Sequence, residues 1–474
     1  MGGRKLVWGA LVCCGVLGCA PAAAGAPRAS EVCGDACDGL DPGQADGDRV
    51  PVTRQVGQRT VALHLDDPRS MGWAAIEGAR AGDSVWVDRS FDGSRSWDGP
   101  LGETSAPGDG SWRSAMFNVD DPANRGVGAL RACAKTADSA EIGCTPWARS
   151  TRNAADPGQA AATALMMLYD RGTGLFDGGG WWTSANALTA LIDEMPAMGS
   201  YEYVIGDVYD RNLGAWDGNF TSEALDDTAW WGLAWIAAYD RTGDRRYLDT
   251  ARADADHLQS GWNDECGGGV TWKTDPGSGK NAITNELHLQ LNAALHNRIP
   301  GDTEHLDRAR AEWEWFRGTG MINQDGLVND GLHECRNNGA TTWTYNQGVL
   351  LGGLVELHRA TGDEQLLAEA RRLADASTGA ADLHDDSGIL VEPCEPDCDP
   401  DGPPFKGAYV RNLGVLNREL ADHPYTGYLR RQADSAMRHR TELDMYGLAW
   451  NGPLDRISHE RQLSAVDLLT AAEG

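Results

Sequence analysis

Four stretches of this chain repeat one pattern, and the spacing between them decides the fold class. Thr242-Gly-Asp-Arg-Arg-Tyr-Leu248-Asp-Thr-Ala-Arg252 is echoed by Thr361-Gly-Asp-Glu-Gln-Leu-Leu367-Ala-Glu-Ala-Arg371 and by Pro300-Gly-Asp-Thr-Glu-His-Leu306-Asp-Arg-Ala-Arg310. Thr426-Gly-Tyr-Leu429-Arg-Arg-Gln-Ala433 is a fainter copy, and successive leucines lie 58, 61 and 62 residues apart. Tetratricopeptide units are about 34 residues long, so this period is too long for them and fits a long helical hairpin. Before each Gly-Asp turn the chain is apolar all round, as in Ala229-Trp-Trp-Gly-Leu-Ala-Trp-Ile-Ala-Ala238. After it the chain is amphipathic, with Tyr247, Leu248, Ala251, Ala255 and Leu258 on one face. A helix apolar on every side must be buried on every side. Inner helices ringed by amphipathic ones make an α/α barrel. With earlier helices at Ala160 to Tyr169 and Asn186 to Met195 there is room for six hairpins, an (α/α)6 toroid over residues 151–474.

The front of the chain reads differently. Met1 to Ala26 carries Arg4 and Lys5, an apolar run from Leu6 to Gly18 and a small-residue end, the pattern of a signal peptide. Val16-Leu17-Gly18-Cys19 also resembles a bacterial lipobox, so export in solution and a lipid anchor at Cys19 are both open. Residues 27–49 are rich in Gly, Asp and Pro and read as a linker. Residues 50–150 read as a β-rich domain, with strands expected at Val52 to Val56, Arg59 to Leu65, Ser84 to Asp88 and Gly128 to Cys133. Within it Ser90-Phe-Asp-Gly-Ser-Arg-Ser-Trp97 resembles the Asp-box of sialidase propellers, a structural hairpin; the alternative is a sugar-binding part for this domain. Beyond Cys13, Cys14 and Cys19 eight cysteines remain, an even number that implies disulfides in an exported chain. Local pairings 33–37, 133–144 and 394–398 leave 266–335.

Lys and Arg number 41 against 70 Asp and Glu, a formal charge of −29, which sets the chain against polyanionic partners such as nucleic acid or acidic membranes. The leader is too short to span a membrane as a helix, and no other run approaches transmembrane length. Tryptophan is abundant, 18 against 6 Phe. Indole faces are platforms for sugar rings, although most tryptophans are core.

In such a barrel the inner helices point their N-termini at one mouth, so the segments opening them are informative. Asp226-Asp227 stands at the start of a Trp-rich inner helix. The helix N-terminus favours both charges while each disfavours the other's ionisation, so their titrations couple. A carboxylate beside a carboxylic acid is what glycoside hydrolysis needs; helix capping is the bland alternative. Trp181, Trp182, Tyr345 and Tyr409 are expected to stack on sugar, and Asn186, Asn285, Asn346, Gln347, Lys406 and Arg411 to contact hydroxyls, all from their place before inner helices. No G-x-S-x-G elbow, H-E-x-x-H zinc motif or P-loop occurs, the histidines are scattered, and the acidic stretch Asp382 to Asp401 matches no calcium-loop spacing. No metal and no cofactor are expected.

At these same segments the sequence resembles glycoside hydrolase family 76, the endo-α-1,6-mannanases. The residues that carry it are Asp226-Asp-Thr-Ala-Trp-Trp-Gly-Leu-Ala-Trp235, Tyr239-Asp-Arg-Thr-Gly-Asp244, Cys266-Gly-Gly-Gly269, Lys280-Asn-Ala-Ile-Thr-Asn-Glu286, Thr344-Tyr-Asn-Gln-Gly348 and Phe405-Lys-Gly407, spread over roughly 155 to 460. The resemblance implies an (α/α)6 barrel acting on α-1,6-mannan by a retaining double displacement, with Asp226 as nucleophile and Asp227 as acid/base. Leu225 and Thr228 depart from the aromatic and the Asn that often flank the pair. The rival readings are a non-catalytic mannan-binding envelope protein, a transglycosylase on cell-surface mannan, and another (α/α)6 enzyme with its acid and base on separate helices. The partner expected is a polysaccharide, met by a monomer.

Overall fold

The computed structural model describes residues 32–474 apart from 178, 179 and 199; the leader, Cys13, Cys14, Cys19 and the first residues of the expected linker lie outside them. All four expected cysteine pairs are disulfides: Cys33–Cys37, Cys133–Cys144, Cys266–Cys335 and Cys394–Cys398.

Period-two patterning builds the first part. β1 (Arg49–Val56) turns through Gly57 into β2 (Arg59–Asp66), where Val61, Leu63 and Leu65 are fully buried and their neighbours Thr60, Ala62 and His64 are not. β3 (Met71–Ala79) follows, then β4 (Ser84–Ser90), β5 (Asp98–Ser105), β6 (Gly110–Arg113), β7 (Phe117–Asn118), β8 (Ala129–Lys135) and β9 (Ile142–Cys144). One sheet runs β1-β2-β3-β6 with β7 also on β3, the other β5-β4-β8-β9, and every pairing is antiparallel. Val61, Leu63 and Ile76 of the first sheet share one core with Val85, Val87 and Leu130 of the second. The four expected strands coincide with β1, β2, β4 and β8. β3 has no counterpart among them, because Gly72, Ala74, Ala75 and Gly78 blur its alternation. Gly72 is required by space, since a Cβ there would stand 2.7 Å from the His64 carbonyl oxygen.

The expected linker needs correction over its described part. Leu40 bridges Met116, and Cys37, Leu40 and Ala45 pack on Met71, Trp73 and Met116. Asp38 accepts the Asn118 backbone N–H at 2.8 Å and pairs with Arg89. Its Gly, Asp and Pro residues form capped turns against the sheet rather than a tether. The Asp-box-like hairpin is tied as expected: Asp92 accepts the Ser96 N–H at 2.8 Å and the Ser90 hydroxyl at 2.9 Å. Its tip is a docking surface for the helical part. Arg95 pairs with Asp177 at 2.5 Å, and a Cβ on Gly93 would meet Met445 at 3.1 Å.

Among the described residues, the remainder is built on twelve helices in six hairpins, with two short strand pairs in its loops. The outer ones are α1 (Pro157–Met166), α3 (Tyr203–Asn212), α5 (Arg245–Gln259), α7 (Glu304–Phe316), α9 (Glu364–Gly379) and α11 (Thr426–Arg438). The inner ones are α2 (Trp181–Met198), α4 (Leu225–Thr242), α6 (Ala282–Arg298), α8 (Thr344–Thr361), α10 (Phe405–Glu419) and α12 (His459–Glu473). Each inner helix touches the next, and α12 touches α2, so the ring closes as an (α/α)6 barrel. α8 is buried without a break from Gly348 to Val355, as an all-round apolar helix must be, while α5 buries Tyr247, Leu248, Ala251, Ala255 and Leu258 together with Asp254 and turns its other charges outward.

The repeated Gly-Asp has a local cause. Gly243 and Gly362 close α4 and α8 at φ 71° and 70°, a left-handed conformation that costs glycine nothing. The next residues, Asp244 and Asp363, cap α5 and α9 by accepting the N–H of Arg246 at 3.0 Å and of Gln365 at 2.9 Å. One residue ends the inner helix and its neighbour starts the outer one, and this tight reversal sets the repeat.

Candidate active site

The inner-helix N-termini open on a cleft of about 660 Å³ lined by Asp226, Asp227, Trp182, Trp272, Asp330 and Tyr345 among others. Asp226 and Asp227 occupy the first turn of α4, where free backbone N–H groups point outward and favour negative charge. Their surroundings differ. Asp226 accepts the Asp227 backbone N–H at 3.1 Å through one oxygen and the Trp272 indole N–H at 3.1 Å through the other. Among the described residues no such donor reaches the Asp227 carboxyl, which faces the charges of Asp226 and Asp401. Burial raises both pKa values above the carboxylate range. The two donors hold Asp226 back, and the neighbouring charges carry Asp227 further up. The site therefore favours one ionised and one protonated carboxyl at neutral pH.

Aromatic rings wall the cleft. Trp182 lies against Trp230, with centroids 5.9 Å apart, and its indole N–H donates to Asp401 at 2.9 Å. Tyr345 stacks on Phe405 at 3.8 Å. Trp272 is 41% exposed and carries the Lys273 ammonium 4.8 Å from its ring centre, while Lys273 also pairs with Glu223. Asp330 presents a carboxyl raised by burial and bonded to the Trp343 indole at 3.1 Å. Trp230 also lines a second cavity of about 440 Å³ on the barrel's far side.

Of the sequence-derived residues, the structure brings Asp226, Asp227, Trp182 and Tyr345 together at the cleft. It seats the other eight elsewhere, and three of them for a shared reason: loops crossing the barrel mouth carry backbone groups that need partners, and Asn285, Gln347 and Lys406 supply them. Asn285 accepts the Val270 N–H at 2.7 Å and donates to its carbonyl at 3.0 Å. Gln347 clasps Val328 the same way, at 2.8 and 2.9 Å. Lys406 is buried and donates to Glu395 and the Leu448 carbonyl, both at 2.6 Å. Arg411 pairs with the buried Asp467 at 2.9 Å, bonds Asn186 and lines the far cavity. Trp181 packs on Phe220 and Trp231, Tyr409 is buried on Ser377, and Asn346 is wholly enclosed.

Sequence reasoning passed over Trp272, Lys273, Asp330 and Asp401, which lie in loops rather than at helix starts. The signal for the first two was the Cys266–Lys280 segment, already singled out at both ends. Cys266–Cys335 ties that segment to the loop carrying Asp330 across 69 residues. Loop-closure entropy gives such a cross-link about 4 kcal/mol. Replacing both cysteines with serine is expected to lower Tm by several degrees in calorimetry and to raise KM more than it lowers kcat.

Comparison with known proteins follows the same residues. A mannan endo-1,6-α-mannosidase, DCW1 of Candida albicans, is 29% identical over 264 residues, half of this chain. The chain spans 58% of that relative's length. The DCW1 enzyme of Saccharomyces cerevisiae is 28% identical over 335 residues, 64% of this chain and 74% of its own. Among solved structures, the GH76A α-1,6-mannanase of Salegentibacter sp. HEL1_6 is 26% identical with a TM-score of 0.59, over 67% of this chain and 99% of that one. A variant of it inactivated at two consecutive aspartates, in complex with α-1,6-mannotetrose, aligns with a TM-score of 0.60. Residues 153–473, the barrel from its first helix to its last, match the sequence pattern of glycosyl hydrolase family 76, and the chain belongs to that family.

Proposed function

We propose that this protein is an exported endo-α-1,6-mannanase that cleaves mannan with retention of configuration. The observation that carries the reading is the unequal pair at the start of α4. Asp226, with an N–H on each oxygen, is the carboxylate, and Asp227, with none and a like charge beside it, is the acid. In the first step Asp226 attacks the anomeric carbon while Asp227 gives its proton to the departing glycosidic oxygen, forming a glycosyl-enzyme. In the second, Asp227 takes a proton from water, which displaces Asp226. Trp182 and Tyr345 offer faces on which sugar rings stack, and Trp272 and Asp330 offer polar edges for hydroxyls.

Three outside observations support the substrate class. The relatives are named for α-1,6-mannan, the solved relative holds an α-1,6-mannose oligosaccharide, and that relative is inactive without two consecutive aspartates. Export is supported by the leader pattern of residues 1–26 and by the four disulfides.

The test is a proton NMR time course on linear α-1,6-mannan. Short oligosaccharides whose new ends appear first as the α anomer are expected. A β anomer appearing first would assign the base to a more distant carboxylate, and no release would make the protein a binder.

A further inference from the structure

At the end of the barrel opposite the cleft, three carboxyl groups meet where the ring closes. Asp156 caps the N-terminus of α1, Glu194 stands in the last turns of α2, and Glu473 ends α12. One oxygen from each lies within 4.8 Å of the others. Among the described residues none of the three is in an ion pair with Lys, Arg or His. Carboxylates at the C-terminal ends of α2 and α12 meet the negative ends of both helix dipoles, so only α1 favours them.

Glu194 makes the cluster unusual. It is 2% exposed; Oε2 accepts the Thr470 hydroxyl at 2.9 Å, and Oε1 is buried with no hydrogen-bond partner among the described residues. A buried anionic oxygen left unpaired is costly. Asp156 already spends one oxygen on the Gln159 N–H at 2.9 Å and the other on its side-chain amide at 2.7 Å. Neither neighbour brings a proton donor to Oε1 unless it is itself protonated.

We propose that Asp156, Glu194 and Glu473 bind one divalent cation of the calcium class, which fastens the first inner helix to the last. Oxygens that share such an ion at about 2.4 Å must lie within about 4.8 Å of one another, a necessary condition that these three carboxyls satisfy pairwise. An all-oxygen, all-carboxylate set suits a hard cation, and Glu473, exposed at the surface, leaves room for waters to complete six to eight ligands. The ion would supply the counter-charge that, among the described residues, no Lys, Arg or His brings to these three carboxyls, and would be independent of the chemistry at the cleft.

The experiment is a thermal unfolding series on the chelator-treated protein at pH 7.5 as calcium is added, repeated on Glu194→Gln, which keeps the shape and removes the charge. Wild type is expected to gain a saturable shift in Tm of about 3 °C at a hundredfold excess over Kd, with one site by calorimetric titration. Glu194→Gln is expected to lose the shift and to be at least as stable as wild type without calcium. If that variant does not fold, Asp156→Asn carries the same test. A wild type indifferent to calcium overturns the proposal and leaves a shared proton at the cluster. A shift that survives in the variant overturns it too, placing the ion elsewhere, for instance in the acidic loop 382–401.

Discussion

Asp226→Ala is expected to lower turnover of linear α-1,6-mannan by about 10⁴-fold or more, because without a nucleophile no glycosyl-enzyme forms. The loss should be as deep on an aryl mannoside whose leaving group needs no proton, since bond breaking by attack is what has been removed. Binding should persist. Trp182, Tyr345 and Trp272 remain in the cleft, so titration with a mannan oligosaccharide should still quench tryptophan fluorescence. The fold should persist as well, because the substitution deletes a desolvated charge that lies beside another. Steady-state kinetics on both substrates decides the matter, and residual activity within about a hundredfold of wild type would place the nucleophile on another residue.

Asp227→Ala should behave differently, and the contrast separates the two roles. A general acid contributes about 10²- to 10⁴-fold, and only where the leaving group needs a proton. Mannan hydrolysis should fall by that factor, while the first step on an activated aryl mannoside should be nearly preserved. Added azide should then replace water in the second step and give the α-mannosyl azide. The pH profile follows from the same geometry. Activity requires Asp226 ionised and Asp227 protonated, so it rises through the pKa of the first and falls through that of the second. Both are raised by burial, Asp227 further, which carries the whole bell toward neutrality. Asp227→Ala should lose the alkaline limb. Stability has its own sign. A carboxyl whose pKa is higher folded than unfolded stabilises the fold below its unfolded value and loses that contribution as pH rises through its folded value. Asp227→Asn is therefore expected to melt higher than wild type at pH 8.

The barrel was legible because its signals are periodic. The Gly-Asp reversal needs a left-handed glycine and a capping aspartate side by side, and that pair recurs at the α4–α5 and α8–α9 turns. The aspartate pair was legible because adjacent charges before a tryptophan-rich helix have few structural uses. The sugar-contacting set was less so. Asn285, Gln347 and Lys406 do sit where inner helices begin, but a backbone crossing the mouth competes with substrate for their donors and acceptors, and it wins at each position. Trp272 and Asp330 reach the cleft from loops whose course is fixed by distant pairings, one of them Cys266–Cys335, and no local period marks them. In the β domain, strands rich in Val and Leu could be read, while β3, built largely of small residues, could not.

The closed ring also fixes an order of events. Gln462 of α12 donates to the Ala161 carbonyl at 2.9 Å, across 301 positions of chain, and His459 meets Thr183 at 2.7 Å across 276. Hairpins within the ring can form as local units while the chain is being made. The seam between α1, α2 and α12 cannot form until the last fifteen residues of the helical domain are present. Until then the apolar flanks of α2 lack their partner, and contacts of such long sequence range form slowly. Under the export proposed above, such a delay is an advantage, since the toroid stays open while most of the chain crosses the membrane.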